Sequence, residues 1–193
     1  MGKRIAIIQG HPSPQQKHLG HALADAYDQG AVAAGHAVRR IEVAQLDFPL
    51  LRTAEDWNEG TLPESLRGAQ AAIGWADHLV MLFPLWSGTM PALFKGFLEQ
   101  IARPGFAFRK NPGGGMAPAL TGKSARIVVT MGMPAVWFQL FYHANGVRGL
   151  QRSILGMCGI KPVRTTYIGL VDAKGFNAGK WLAEMRELGR RGA

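Results

Sequence analysis

The segment HLVMLFP, His78 to Pro84, constrains the fold more than any other stretch of the chain. Every position after the first is apolar, as in a strand buried on both faces, and such strands belong to parallel sheets covered by helices on each side. The flanking pattern agrees. Arg4 to Gly10 (RIAIIQG) is a short β-branched run closed by glycine, Gln15 to Gly35 shows helical spacing through Leu19, Ala22, Leu23, Ala26 and Tyr27, and Val38 to Val43 is the next strand. Strand, loop, helix and strand in about forty residues is the length of a βαβ unit.

The remainder continues the alternation. Leu51 to Pro63 is a polar connecting excursion, Leu66 to Ala76 a helix, and Pro91 to Ala102 a helix with proline in its first turn. Arg103 to Thr121 holds three prolines and the triplet Gly113 to Gly115, which predicts a loop excursion. Then come a strand at Ala125 to Met131, an apolar helical stretch from Val136 to Met157, a strand at Arg164 to Leu170 and a helix from Lys174 to Arg190. Strands alternating with helices predict an α/β fold, a doubly wound five-stranded parallel sheet with helices on both faces. A single domain over residues 1–193 is expected, since a chain of this length buries about 70% of its unfolded surface without a staple.

Composition narrows the function classes. With 47% hydrophobic and 18% charged residues the chain is not intrinsically disordered. Its longest apolar run, Leu79 to Trp86, is too short to span a bilayer. Lys3 and Arg4 precede a short apolar segment without a small-residue cleavage site, so no secretory signal is expected. The single cysteine, Cys158, excludes an internal disulfide and a zinc cluster, and a reducing, cytoplasmic setting is expected, with no metal. The net charge of +9 sits in one window: Gln100 to Val171 has no acidic residue but nine bases (Arg103, Arg109, Lys110, Lys123, Arg126, Arg148, Arg152, Lys161 and Arg164). This excess invites a nucleic-acid-binding reading. Against it, the window carries no helix-turn-helix, zinc-finger or RNP signature, and Arg109 and Lys110 are its only adjacent pair.

In doubly wound sheets the ligand lies at the carboxyl ends of the strands, where the winding reverses. That rule selects three loops. The first, Gly10 to Lys17 (GHPSPQQK), contains neither GxGxxG nor GxxxxGK[ST], but brings His11, Ser13, Gln15, Gln16, Lys17 and His18 ahead of a helix. Two readings stand level: an anion site suited to phosphate, or a helix capped by Ser13 with solvated histidines. The second, Pro84 to Met90, places Trp86, Ser87 and Gly88 after the buried strand; alone, Trp86 reads as core. The third, Thr130 to Trp137, offers Gly132 and backbone amides. Their convergence at one sheet edge suits a flat aromatic cofactor.

At these loops the sequence resembles the flavodoxin-like NAD(P)H:quinone reductases, the group that includes mammalian DT-diaphorase, bacterial modulators of drug activity and the ancillary flavoproteins of potassium-efflux systems. FPLWSGTMPALFKGFLEQI (Phe83 to Ile101) carries most of the likeness, supported by IAIIQGHP, GFAF and GKSARIVVTMGMP. The resemblance implies strand order 2-1-3-4-5 and an NAD(P)H:quinone oxidoreductase holding FMN, with FAD the alternative. In its ping-pong cycle NAD(P)H reduces the flavin and leaves, and a quinone then takes two electrons. It also implies a regulatory flavoprotein of a membrane transporter as the alternative role. His11, Ser13, Lys17 and His18 match the flavin-phosphate loop, Pro84, Leu85, Trp86, Ser87 and Gly88 the loop along the ring, and Thr130, Met131, Gly132 and Met133 the loop at its polar edge. Where mammalian members carry a relay Tyr and His, the approximate matches are Phe138 and His143, with Tyr142 adjacent. A phenylalanine cannot relay a proton, so Tyr142 and His143 are the expected catalytic pair.

The run VWFQLFY, Val136 to Tyr142, is apolar nearly all round, which a monomer's surface helix does not tolerate, and a homodimer is expected, as in the family. The basic window is expected to steer anionic ligands, with Arg109, Lys110 or Arg148 meeting the phosphates of NADPH. Charge-neutral variants at these positions are expected to raise the NADPH KM at low salt; an unchanged KM would reduce the asymmetry to a surface property.

Overall fold

A computed structural model describes residues 2–15, 17–111 and 113–193, except the side chain of Lys110. Among these residues five strands form one parallel sheet: β1 (Arg4–Gln9), β2 (Ala37–Glu42), β3 (His78–Pro84), and further along the chain β6 (Ser124–Thr130) and β7 (Val163–Ile168), in the order β2-β1-β3-β6-β7. Counting only these five, the order is 2-1-3-4-5, as the resemblance implies. The chain winds outward from β1 in one direction and from β3 in the other, so the reversal lies between β1 and β3.

Alternation along each strand sorts the core into two layers. Ile5 and Ile7 of β1, Val80 and Leu82 of β3 and Val128 of β6 pack against α1 (Leu19–Ala33) and α7 (Ala178–Arg191) through Leu23, Tyr27, Met185 and Leu188. Ala6, Ile8, Leu79, Met81, Phe83, Ile127 and Val129 face the opposite layer, which includes α3 (Arg67–Trp75) and α4 (Ala92–Ile101). β3 is thus apolar on both faces because both are covered.

Three segments depart from the sequence reading. The polar excursion contains α2 (Ala54–Asn58), started by a reciprocal capping box between Thr53 and Asp56. The Pro and Gly loop contains an antiparallel ribbon of β4 (Phe108–Lys110) and β5 (Met116–Pro118). The expected single helix from Val136 to Met157 is broken. It runs as α5 (Ala135–Leu140), turns through His143 and Ala144, both at positive φ (51° and 48°), and resumes as α6 (Asn145–Gly149) and a π-helical stretch, Leu150–Gly156. Two successive left-handed residues cannot continue an i→i−4 ladder. The break is held by tertiary contact, since Ala144 is buried and its N–H reaches the Phe138 carbonyl at 3.1 Å.

Three bases of the acid-free window are structural. Arg103 is buried and donates to the Asp56, Gly60 and Gln100 carbonyls and the Gln100 side chain, tying the excursion to α4. Lys123 caps the end of α3 through the Gly74 and Ala76 carbonyls. Arg126 donates to the Ala193 carbonyl and Thr166 Oγ1. Among the described residues their hydrogen bonds go mainly to backbone carbonyls, with the Gln100 amide and the Thr166 hydroxyl as further acceptors. Arg109 and Arg148 are exposed; the Lys110 side chain lies outside the described residues.

α1 and α7 cross closely. A Cβ on Gly30 would lie 1.9 Å from the Arg186 carbonyl oxygen. Gly→Ala in a helix interior normally stabilises by about 1 kcal/mol. Gly30→Ala is instead expected to destabilise by about 1–3 kcal/mol through overpacking, seen as a lower denaturant midpoint. A raised midpoint would contradict the close crossing.

Candidate active site

The three loops meet at the carboxyl edge through backbone hydrogen bonds. Gly10 N–H donates to Leu82 O (2.7 Å), Leu85 N–H to Thr130 O (2.8 Å) and Met131 N–H to Ile168 O (2.9 Å), so the ends of β1, β3, β6 and β7 are level.

In the first loop each of three side chains accepts from the main chain two residues on. Gln9 Oε1 accepts from His11 N–H (3.1 Å), His11 Nδ1 from Ser13 N–H (3.1 Å) and Ser13 Oγ from Gln15 N–H (3.3 Å). Such local bonds compete with helix formation, which explains why α1 begins at Leu19 rather than near Gln15. They also overturn the reading in which Ser13 caps the helix: the N-cap residue is His18, whose side chain makes no capping bond among the described residues. Lys17 is exposed beside it, and Gln16 lies outside the described residues.

The histidines are not separately solvated. His11 stacks on His18 with ring centroids 4.0 Å apart and 15° between planes, and His21, a residue the sequence reading passed over, stands 5.4 Å from His11 and 5.8 Å from His18. Because His11 Nδ1 is an acceptor, its neutral ring carries the proton on Nε2. Burial, then the charges of His18 and His21, push the His11 imidazole down to about 4. His21 is lowered too, by burial first, with Glu42 opposing. Beneath the loop, Gln9 Nε2 and His21 Nδ1 are buried and find no hydrogen-bond partner among the described residues. Polar atoms left in this way cost about 1–3 kcal/mol each, and they mark a place where a ligand or water completes the network.

The second loop is a tight turn. Trp86 and Thr89 exchange backbone hydrogen bonds at 2.9 Å, with Ser87 (φ 47°) and Gly88 (φ 79°) between them, the pattern of a type I′ turn. Pro84 and Leu85 are half-buried, whereas Trp86 is 51% exposed. Trp86 is therefore not the core residue it resembles in isolation. Its ring stands edge-on to His11 at 6.4 Å, which joins the first two loops.

In the third loop Thr130 is half-buried and Met131 is in the core, with both its N–H and its carbonyl used by the chain around β7. Gly132 and Met133 are exposed. A Cβ on Gly132 would lie 3.0 Å from Asp172 Oδ2. Asp172 is the first acid after the acid-free window and follows the last strand of the sheet. The rule that ligands sit at strand ends would have selected it had the fifth strand been included.

The broken helix reaches the same place. A Cβ on Gly146 would lie 2.3 Å from the Gly88 carbonyl oxygen, so the turn containing Tyr142 and His143 packs beside the second loop. Both side chains are exposed, whereas Phe138 is buried between Tyr142 and Tyr167. The expected residues of all three loops thus border one edge, with Lys17 at its margin. Among the described residues no group of three or more His, Cys, Asp or Glu is placed to hold a metal ion. Cys158 is buried, which pushes its thiol up to about 11.

This arrangement matches a known pattern. A profile described as the flavodoxin-like fold aligns with residues 3–188. The chain belongs to the flavodoxin-like fold family. Among relatives within reach of sequence, a ribosyldihydronicotinamide dehydrogenase-like protein of Penicillium crustosum is 30% identical over 178 residues, 79% of this chain and 64% of that protein. A protein of Haemophilus influenzae named an uncharacterized NAD(P)H oxidoreductase is 27% identical over 179 residues, 89% of this chain and 88% of that one. An FMN-dependent NADH:quinone oxidoreductase of Clostridium beijerinckii is 29% identical over 133 residues, 69% of this chain and 62% of that one. The chain therefore spans somewhat less than two thirds of the first and third.

Solved members share the fold at lower identity. The NAD(P)H:quinone oxidoreductase from Methanothermobacter marburgensis superposes with TM-score 0.79 at 21% identity, covering 100% of both chains. An FMN-dependent NADH-azoreductase from Bacillus anthracis, solved with FMN, gives 0.75 at 14% identity, again over 100% of both.

The first loop yields a direct check. In the ligand-free protein the His11 ring resonances are expected to titrate with a midpoint of about 4. A midpoint near the ordinary value of about 6.5 would remove the burial and the Ser13 bond from this account.

Proposed function

We propose that this member of the family is an FMN-dependent NAD(P)H:quinone oxidoreductase, with residues 1–193 forming one flavin-binding domain. The observation that carries the reading is the meeting of a histidine cluster and its buried, unpartnered polar atoms with the exposed Trp86 turn at the point where the sheet reverses. Relatives named as NAD(P)H and quinone oxidoreductases supply the reaction class.

The residues fit an FMN. Its phosphate needs cationic or neutral donors and no competing carboxylate. The first loop provides the His11 Nε2–H, the Ser13 hydroxyl, Lys17, His18 and the start of α1, whose first turn has no acid. Pro84, Leu85, Trp86, Ser87 and Gly88 border the ring, and Thr130, Met131, Gly132 and Met133 meet its polar edge. Met131 contributes through its place in the backbone, because its side chain is in the core. When bound, the flavin supplies two-electron transfer from NAD(P)H to a quinone. Tyr142 and His143, exposed on the turn that packs beside the second loop, would supply the exchangeable protons to a bound flavin and its substrates. Phe138, buried and without an exchangeable proton, takes no part.

α5 and the turn after it expose Val136, Trp137, Leu140, Phe141 and Tyr142, each at 57–69%. An apolar face of this kind beside the site is the surface of a homodimer. No helix among the described residues is long and apolar enough to cross a membrane. The oxidoreductase names of the relatives favour the reductase over a transporter-regulating flavoprotein. Bases engaged on backbone carbonyls weaken the nucleic-acid reading. The cytoplasm is the proposed location, in keeping with a single, buried cysteine.

Purified protein is expected to bind one FMN, to bleach with NADPH or NADH and to recolour with a quinone. His143→Gln is expected to lower kcat by about 10²-fold, the scale of a lost general acid or base. A protein that takes up neither FMN nor FAD would overturn the reading. An unchanged kcat would remove His143 alone.

A further inference from the structure

The histidine cluster does more than supply donors, and its consequence rests on the flavin reading above. We infer that His11, His18 and His21 form a proton-taking receptor for a dianionic phosphate monoester, so that FMN is bound together with a proton and is preferred over FAD and riboflavin. His21 is the residue this adds to the site.

Three imidazoles lie within 4.0–5.8 Å of one another, centroid to centroid, at the mouth of α1. Two positive charges at such a distance repel, and in the free protein burial and the neighbouring imidazoles hold the His11 and His21 rings down. His11 has already committed Nδ1 to the Ser13 amide and remains a neutral donor through Nε2. Its bond to Ser13 would be lost on protonation. His21 differs: it is 3% exposed and its Nδ1 has no partner among the described residues. A proton taken up by the cluster therefore belongs on His21, whose Nδ1 is free to receive it.

The charged surroundings do not supply a counter-charge of their own. Glu42 and Asp25 raise the His21 affinity for a proton, but Arg40 and His18 oppose them, and burial outweighs the carboxylates. Arg40 is itself paired with Asp25 and Glu42. Lys17 stands exposed in the same loop, and the Trp86 edge closes the cluster from the second loop. A dianion at the loop is the missing charge, and an opposite charge within about 4–6 Å raises an imidazole by about 1–3 units.

The sign follows from linkage. A ring with a lowered value when free and a raised value when the phosphate is bound takes up a proton between the two. Affinity is then independent of pH below the free value and falls as pH rises through the bound one. A phosphate monoester loses its second proton near pH 6, so above about pH 7 the dependence reports the protein and not the ligand. The diphosphate of FAD presents no dianionic monoester, and riboflavin presents no phosphate.

The test uses the flavin-free full chain. FMN added at about pH 7.5 in weakly buffered indicator dye is expected to withdraw up to one proton per FMN bound, and its Kd by fluorescence quenching to weaken as pH rises from about 7 to about 8.5, at most tenfold per pH unit. Riboflavin is expected to show neither effect. His18→Arg, with a permanent charge at an exposed position, is expected to bind FMN tightly at about pH 8.5 with a flattened slope, whereas His18→Gln binds weakly throughout. FMN binding without proton uptake and with the same pH dependence as riboflavin overturns this inference and leaves the flavin reading standing. No binding of FMN, FAD or riboflavin at any pH removes both.

Discussion

The level alignment of β1, β3, β6 and β7 at their carboxyl ends is the constraint on which the rest of the molecule depends. Gly10, Leu85 and Met131 each donate a backbone N–H to the neighbouring strand or its following residue, so every loop leaves the sheet at the same height. A shift of one residue in any pairing would withdraw that strand's loop from the edge. At β3, apolar and buried on both faces from Leu79 to Phe83, the fit of side-chain sizes rather than polarity enforces the register.

On that edge local chemistry builds the pocket. Successive bonds from Gln9, His11 and Ser13 to the main chain two residues on keep the first loop extended and delay the start of α1. The delay places His18 at the helix entrance, stacked on His11, and His21 one turn in. The second loop presents Trp86 through a turn that needs positive φ at two residues. The third is approached by Asp172, and the turn at His143 packs beside the second. The histidine cluster, the exposed Trp86 turn and the turn bearing Tyr142 and His143 thus lie together, although their residues are far apart in sequence.

The charge asymmetry acquires a different physical meaning in three dimensions. As a count it suggests a basic surface. Arg103, Lys123 and Arg126 instead terminate helices and loops by binding carbonyls, and a cation satisfied by backbone dipoles needs no carboxylate nearby. Part of the window is therefore depleted in acids because its bases serve the fold. The exposed Arg109 and Arg148 remain available to ligands.

The layered α/β architecture and the three loops at the strand ends were legible in the chain because they rest on short-range patterns, whereas the strand order was implied only by the family resemblance. The apolar run from Leu79 to Trp86, helical spacing after a glycine, and loops at strand ends are visible without knowledge of what packs where. The capping box at Thr53 was equally legible but went unread. What only the tertiary structure decided were the relations across the sequence. These are the stacking of His18 on His11 with His21 tilted beside them, the unsatisfied amide of Gln9 and the return of Asp172 to Gly132. The break at His143 belongs with them, in a stretch whose apolar composition is that of one continuous helix. Periodicity reports which face of an element is buried. It carries no information about which distant side chain meets that face, because such contacts are set by the packing of whole layers.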